Sequence, residues 1–146
     1  MIVLVCGGRH FSDRDWLFSV LNEECKKKRI VGLIQGKASG ADTLAAEWQS
    51  FRIKREWQTA IKERPRTTIP DLWGVGCPAR WDDLEAKPLV LRYKNGVPYN
   101  AAAGGIRNQF MLTWHPNKVI AFPGGSGTND MKERARRAGI EVMEVR

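Results

Sequence analysis

With 146 residues the chain has room for one domain with a core of its own, and it needs no disulfide or metal staple. A hydrophobic share of 42% and a charged share of 27% argue for a globular domain. The formal net charge of +8 favours anionic partners such as nucleotide phosphates, nucleic acid or an acidic protein.

The basic residues cluster at Lys26–Arg29, from Arg52 to Arg66 and from Lys132 to Arg137, and each cluster taken alone reads as a solvated helix face. No apolar run approaches the ~20 residues of a membrane span, so no membrane partner is expected. The opening Met1-Ile2-Val3-Leu4-Val5 lacks a basic n-region and reads as a strand, not as a signal peptide. Cys6, Cys25 and Cys77 form no CxxC pair, and neither His10 nor His115 stands at ligand spacing from them. Reduced thiols, a cytoplasmic location, no metal and no cofactor are the resulting expectations.

In chain order, Ile2–Cys6 is a continuous β-prone apolar run, as in a strand covered on both faces. Ser12 or Asp13 can cap a helix with Trp16, Leu17, Val20 and Leu21 inward, running into Lys26–Arg29 at the negative end of its dipole. Ile30–Gln35 reads as a second strand. The loop Gly36–Asp42 leads into a helix with Leu44, Ala45, Trp48 and Phe51 inward. The segment around 55–100 holds five of the seven prolines and no sustained period, so it reads as an irregular insertion. Asn95-Gly96 between β-prone residues predicts a hairpin within Asp82–Tyr99. From Ala101, the spacing of Ile106, Phe110 and Trp114 predicts a helix with these residues inward. Lys118–Phe122 is a buried strand and Pro123–Thr128 a loop. Met131, Ala135 and Ala138 mark a helix stopped by Gly139, and Ile140–Val145 is a last strand. This alternation predicts a single Rossmann-like α/β domain over residues 1–146. Its three layers, α/β/α, enclose a mainly parallel sheet, and a hairpin is inserted.

Three glycine-rich loops follow three of these strands: Cys6-Gly7-Gly8-Arg9, Gln35–Asp42 with Gly36 and Gly40, and Phe122–Thr128 with Pro123, Gly124, Gly125, Ser126, Gly127 and Thr128. Ligands of open parallel sheets bind outside the carboxyl ends of the strands. Each loop opens a helix, whose free N–H groups and dipole favour phosphate. No Walker loop, no intact GxGxxG and no GxSxG elbow is present. Arg9 reads as a phosphate clamp and Lys37 as a second phosphate partner. Asp42 reads equally as a ribose ligand or a helix cap, Asn108 equally as a ligand contact or a loop brace, and Thr128 equally as a hydroxyl donor or an N-cap. His10 reads as a loop residue and His115 as a helix end. Trp73 and Trp81 are candidates for stacking on a base.

The ordered set Gly7-Gly8-Arg9, Gly36-x-Ala38-x-Gly40-Ala41-Asp42, Arg107-Asn108 and Pro123-Gly124-Gly125-x-Gly127-Thr128 resembles the SLOG superfamily, and within it the YspA-type branch. That superfamily includes the DNA-processing protein DprA and the lonely-guy phosphoribohydrolases. Ala79-Arg80-Trp81 is similar to the branch's Ala-Asp-Trp signature, with Arg in place of Asp. The resemblance implies a Rossmann-like sheet and a nucleotide-derived small-molecule ligand, with Pro123–Thr128 on phosphate and Gly7, Gly8, Gly36 and Gly40 lining the pocket. It also implies a catalytic role for Arg107, which matches an arginine of the phosphoribohydrolases. Where those enzymes carry a glutamate three residues after the threonine, this chain has Met131, and Asp130 is the neighbouring acid about 100° around the helix. Binding, as sensing or sequestration, is therefore the first expectation. A phosphoribohydrolase using Arg107 and Asp130 is the second, and nucleic-acid binding of the DprA type is the third. The sequence does not fix the number of copies, and a homo-oligomer is compatible with it.

Overall fold

The computed structural model describes the backbone of residues 1–63 and 71–146. Part of the basic stretch Arg52–Arg66, and part of the segment 55–100, lies outside the described residues.

Strand β1 (Ile2–Cys6) occupies the middle of a five-stranded parallel sheet. On one side it pairs with β2 (Gly32–Gln35), which pairs in turn with β3 (Trp73–Gly76). On the other it pairs with β6 (Lys118–Ala121), followed by β7 (Glu141–Glu144). The order is therefore β3-β2-β1-β6-β7, and the chain reverses its direction of travel across the sheet between β1 and β6. A second, two-stranded antiparallel sheet joins β4 (Leu91–Lys94) to β5 (Val97–Asn100).

Alternation along β1 distributes its side chains to two cores. Val3 and Val5 meet Leu33, Ile120 and the helices α1 (Arg14–Lys27) and α2 (Ala41–Glu63) through Leu17, Leu21, Ala45 and Trp48. Leu4 and Cys6 face the opposite way. They meet Ile34, Val119, and the helices α3 (Ala103–Leu112) and α4 (Ser126–Arg137) through Met111, Leu112, Met131 and Ala135. This is the three-layer α/β/α arrangement expected from the strand–helix alternation.

Local signals account for the helix ends. Asp13, not Ser12, caps α1 by accepting from the Trp16 N–H at 2.9 Å. Helix α4 ends in a Schellman turn at Gly139, with Gly139 N–H donating to Arg136 and Ile140 N–H to Ala135. The hairpin turns at Asn95-Gly96, both at positive φ, as a two-residue loop between twisted strands requires.

Four expectations need correction. Strand β2 starts at Gly32, two residues later than its apolar run, and only Val31 N–H of the preceding pair reaches across to Met1. Strand β3 lies in the segment read as irregular. Phe51 is 51% exposed and lies against Phe18 instead of in the core, because it falls at the flank of the α2 stripe that buries Ala41, Ala45 and Trp48. On α3 the exposed side chain is Phe110, and Trp114 beyond the helix end is exposed against Trp73. Ala103, Asn108, Met111 and Leu112 are the residues turned inward. A four-residue repeat drifts round a helix of 3.6 residues per turn, and here the stripe centred on Met111 won.

Candidate functional site

The carboxyl ends of β1 and β6 flank the point where the strand order reverses, the usual ligand crevice of an open α/β sheet. A cleft of about 1210 Å³ opens there. Its floor is the two loops that leave these strands. Gly8 N–H donates to the Pro123 carbonyl at 2.9 Å, and Gly8 and Gly124 are in backbone contact. A Cβ added at Gly124 would come within 2.6 Å of the Gly8 nitrogen. Gly7 packs on Ala41 and Phe122, so β1 ends against the start of α2.

The loop Pro123–Thr128 opens α4 with Gly125 at the N-cap position and no side-chain cap. Ser126, Gly127 and Thr128 form the first turn, whose N–H groups carry the positive end of the helix dipole. Thr128 is therefore the third helical residue and not the N-cap. Gly125 and Gly127 both border the cleft, and a Cβ on either would meet, among the described residues, no atom from another part of the chain within 4 Å.

The loop after β2 behaves differently. Asp42 is buried, and one carboxylate oxygen accepts from the N–H groups of Gly36 at 3.1 Å and Ala38 at 3.2 Å. Its role within the chain is thus to brace its own loop. Burial pushes its pKa up, against the lowering effect of the Ala38 N–H and the Arg107 charge. Ala38 and Asp42 border the cleft, while Gly36 and Gly40 lie behind it. Gly36 is pressed against Arg107, and Gly40, at φ +78°, is pressed against Gly8 and Arg9. Lys37 lays its alkyl chain across Gly76 and does not border the cleft.

Helix α3 forms the opposite wall and ties the loops together. The Arg107 guanidinium donates to the carbonyls of Gly36 and Cys77 and to the Asn108 side chain. Burial pulls its pKa down, partly offset by Asp42. Asn108, itself buried, donates to the Gly127 carbonyl at 3.1 Å and to Asp130 at 2.9 Å, which makes it the brace of the α4 loop. Asp130 also accepts from Arg134 at 2.7 Å. Partial burial raises the Asp130 pKa, but the hydrogen bonds from Arg134 and Asn108 outweigh it and hold the carboxyl below its ordinary value. Met131, at the position of the resembled enzymes' glutamate, points into the core and is fully buried.

The remaining rim comes from the segment between β3 and α3 and from the first turn of α3. Trp81, Lys87, Pro88, Gly104 and Gly105 border the cleft, with Arg9 and His10 opposite. Arg9 is exposed and lies over the Trp81 ring, 5.7 Å from its centroid. Trp73, the other stacking candidate, stands on β3 against Trp114 and does not border the cleft. Arg134 was hidden in the basic run Lys132–Arg137. Its spacing from Gly127 and Asp130, seven and four residues, places all three on one face of α4, and that signal was available in the sequence. Cys6 lies at the bottom of the cleft, where burial and the Asp42 charge push its thiol up to about 12, so it is inert as a nucleophile. Among the described residues no group of three His, Cys, Asp or Glu side chains is gathered for a metal ion, and no helix is long and apolar enough to cross a membrane.

Parallel strands, flanking helices and glycine loops meeting at the strand-order reversal define a Rossmann-like α/β protein with its cleft at the carboxyl edge of the sheet. Residues 1–62 match the family described as YAcAr: YspA, cpYpsA-related SLOG family, and this part of the chain is similar to that family. The match spans the first two glycine loops and most of α2. No curated protein and no solved structure matches the chain.

Proposed function

We propose that the cleft binds an anionic, nucleotide-derived small molecule, as a sensing or sequestering module. The first turn of α4 and the Gly7-Gly8 loop hold its phosphate. The observation that carries this reading is the pair Gly125 and Gly127. Neither is needed to avoid a clash within the protein, and neither takes a positive φ, yet both leave bare backbone facing the cleft. Bare amides at an uncapped helix start are suited to an anion in close contact. Arg9 at the rim adds a cation, and Ser126 and Thr128 add hydroxyl donors. The match of residues 1–62 to a SLOG family supports a nucleotide-related ligand.

The same geometry speaks against hydrolysis of an N-glycosidic bond. Such a step needs an acid or base beside the sugar. Met131 cannot supply one, and Asp130 is engaged within the protein by hydrogen bonds from Arg134 and Asn108 to one of its carboxylate oxygens. Arg107 acts as a brace between loops, with its N–H groups on two carbonyls.

A thermal-shift screen of nucleoside mono-, di- and triphosphates, ADP-ribose and cyclic nucleotides tests the proposal. A ligand at a hundredfold excess over its Kd stabilises by ~2.7 kcal/mol, or several degrees of Tm. Stabilisation by none of these compounds would reject it. Free base released from a nucleoside monophosphate would instead restore the hydrolase reading.

A further inference from the structure

We infer that Trp81 is the platform on which a planar ring of the ligand stacks, so that the cleft takes a molecule carrying a nucleobase and not a sugar phosphate alone. This rests on the phosphate reading above and adds the other end of the ligand.

Three observations place the platform. The benzo edge of the indole rests on the first turn of α3 at Gly104, where an added Cβ would lie 3.3 Å from Trp81 Cη2. The absence of a side chain at Gly104 thus sets how closely the ring approaches the helix. The peptide that carries the ring is pinned, since the Asn100 N–H donates to the Trp81 carbonyl at 2.8 Å. The ring still borders the cleft and is 37% exposed, a large apolar surface left open on a fixed support. What covers part of it is the guanidinium of Arg9, which projects from the residue next to Gly8. A guanidinium over an indole face marks a surface that attracts flat, electron-poor groups. A base sliding onto the same face would stack on Trp81, and Arg9 would cover the base or turn toward the phosphate.

Among the described residues two phenylalanine rings also border the cleft. Phe11 is engaged with Trp16 and Phe122, at centroid distances of 6.0 and 5.2 Å. Phe110 lies on α3 beyond Arg107 and 54% of it is exposed, but among the described residues no cation lies over it. Trp81 is the ring that combines a fixed support, an open face and a cation.

The test is calorimetric titration of the full chain with ribose 5-phosphate and with each of the four common ribonucleoside 5′-monophosphates. Wild type is expected to bind at least one nucleotide more tightly than ribose 5-phosphate. Trp81→Ala is expected to weaken that nucleotide by roughly tenfold or more, from the strength of base–aromatic stacking. It should leave ribose 5-phosphate unchanged, and Trp81→Phe should recover most of the loss. Phe110→Ala should change neither ligand. Equal weakening of both ligands by Trp81→Ala, or a nucleotide-specific loss from Phe110→Ala instead, would overturn the platform. So would wild type binding ribose 5-phosphate as tightly as every nucleotide, although that result leaves the phosphate site standing. Binding of none of the five probes would overturn the platform for a nucleoside monophosphate, while the phosphate reading stands or falls by the wider nucleotide screen above.

Discussion

Gly40 and Gly127 belong to two of the three glycine loops, and the chain needs them for different reasons. At Gly40 the backbone is left-handed at φ +78°, and an added Cβ would press to 2.2 Å from the Gly8 carbonyl. Gly40→Ala should therefore cost at least ~2 kcal/mol of stability, read as a lower midpoint in urea. At Gly127 the backbone is helical and the added methyl would meet nothing. Gly127→Ala should leave Tm unchanged or raise it, by up to ~1 kcal/mol of helix propensity. It should also weaken whichever nucleotide stabilises the wild type, because the methyl stands where the phosphate would approach. A Gly127→Ala protein that is stable and binds undiminished would place the anion elsewhere. Both glycines were visible in the sequence, but their separate roles were not, since spacing does not say what lies above a Cα. Asp42 and Asn108 show the same limit. Each had two plausible partners by position, and only the fold brings Gly36 and Ala38 to one and Gly127 to the other.

Among the secondary-structure elements, the hairpin and the edge strand β3 contrast in how plainly they could be read. The hairpin announced itself because Asn95-Gly96 is a local signal that needs no tertiary context. Strand β3 did not. It is four residues with two glycines, and those glycines are there because Gln49 lies across Gly74 and Lys37 lies across Gly76, both long-range contacts. The side chain of buried Asn100 anchors the hairpin's base. It accepts from the N–H groups of Val90 and Ala102 and donates to the Pro88 carbonyl. Asn100→Ala strands these groups and should cost about 2–3 kcal/mol. Amide exchange at Val90 and Ala102 should rise together. By contrast, Tyr93→Ser and Val97→Ser at the exposed tip should shift stability by no more than ~0.5 kcal/mol. A large loss of stability from the tip variants would mean that the hairpin carries packing not seen here.

Across the whole molecule, an ion cluster centred on the buried Glu24 connects distant parts of the chain. Glu24 on α1, 3% exposed, accepts from Lys118 on β6 and from Lys27, and Lys118 also pairs with Glu141 on β7. Hydrogen bonds from Lys118 and then Lys27 hold the Glu24 pKa below its ordinary value. A carboxyl lowered by folding stabilises fully above its unfolded pKa, and that contribution fades as pH falls through the folded one. Glu24→Gln should cost on the order of 1–3 kcal/mol at pH 7 and flatten the acid limb of the stability curve, as followed by urea melts from pH 7 to pH 3. An acid limb of unchanged slope would count against this assignment. The layer architecture was legible from periodicity, because each strand and helix carries its own apolar pattern. The strand order was not, because nothing local tells β6 to pair with β1 and not with β3. The cleft follows from that order.

Arg107, Asn108 and Asp42 join the turns after β2, β3 and β6 through side-chain hydrogen bonds, and Gly8 joins the β1 turn to the β6 turn through its backbone. A guest molecule arriving here would find a rigid frame with little backbone freedom left to freeze. The entropic toll of ordering is then already met by folding. Capture in a stopped-flow mixing experiment should accordingly be a single fast phase whose rate climbs linearly with concentration, without the plateau that a slow rearrangement imposes.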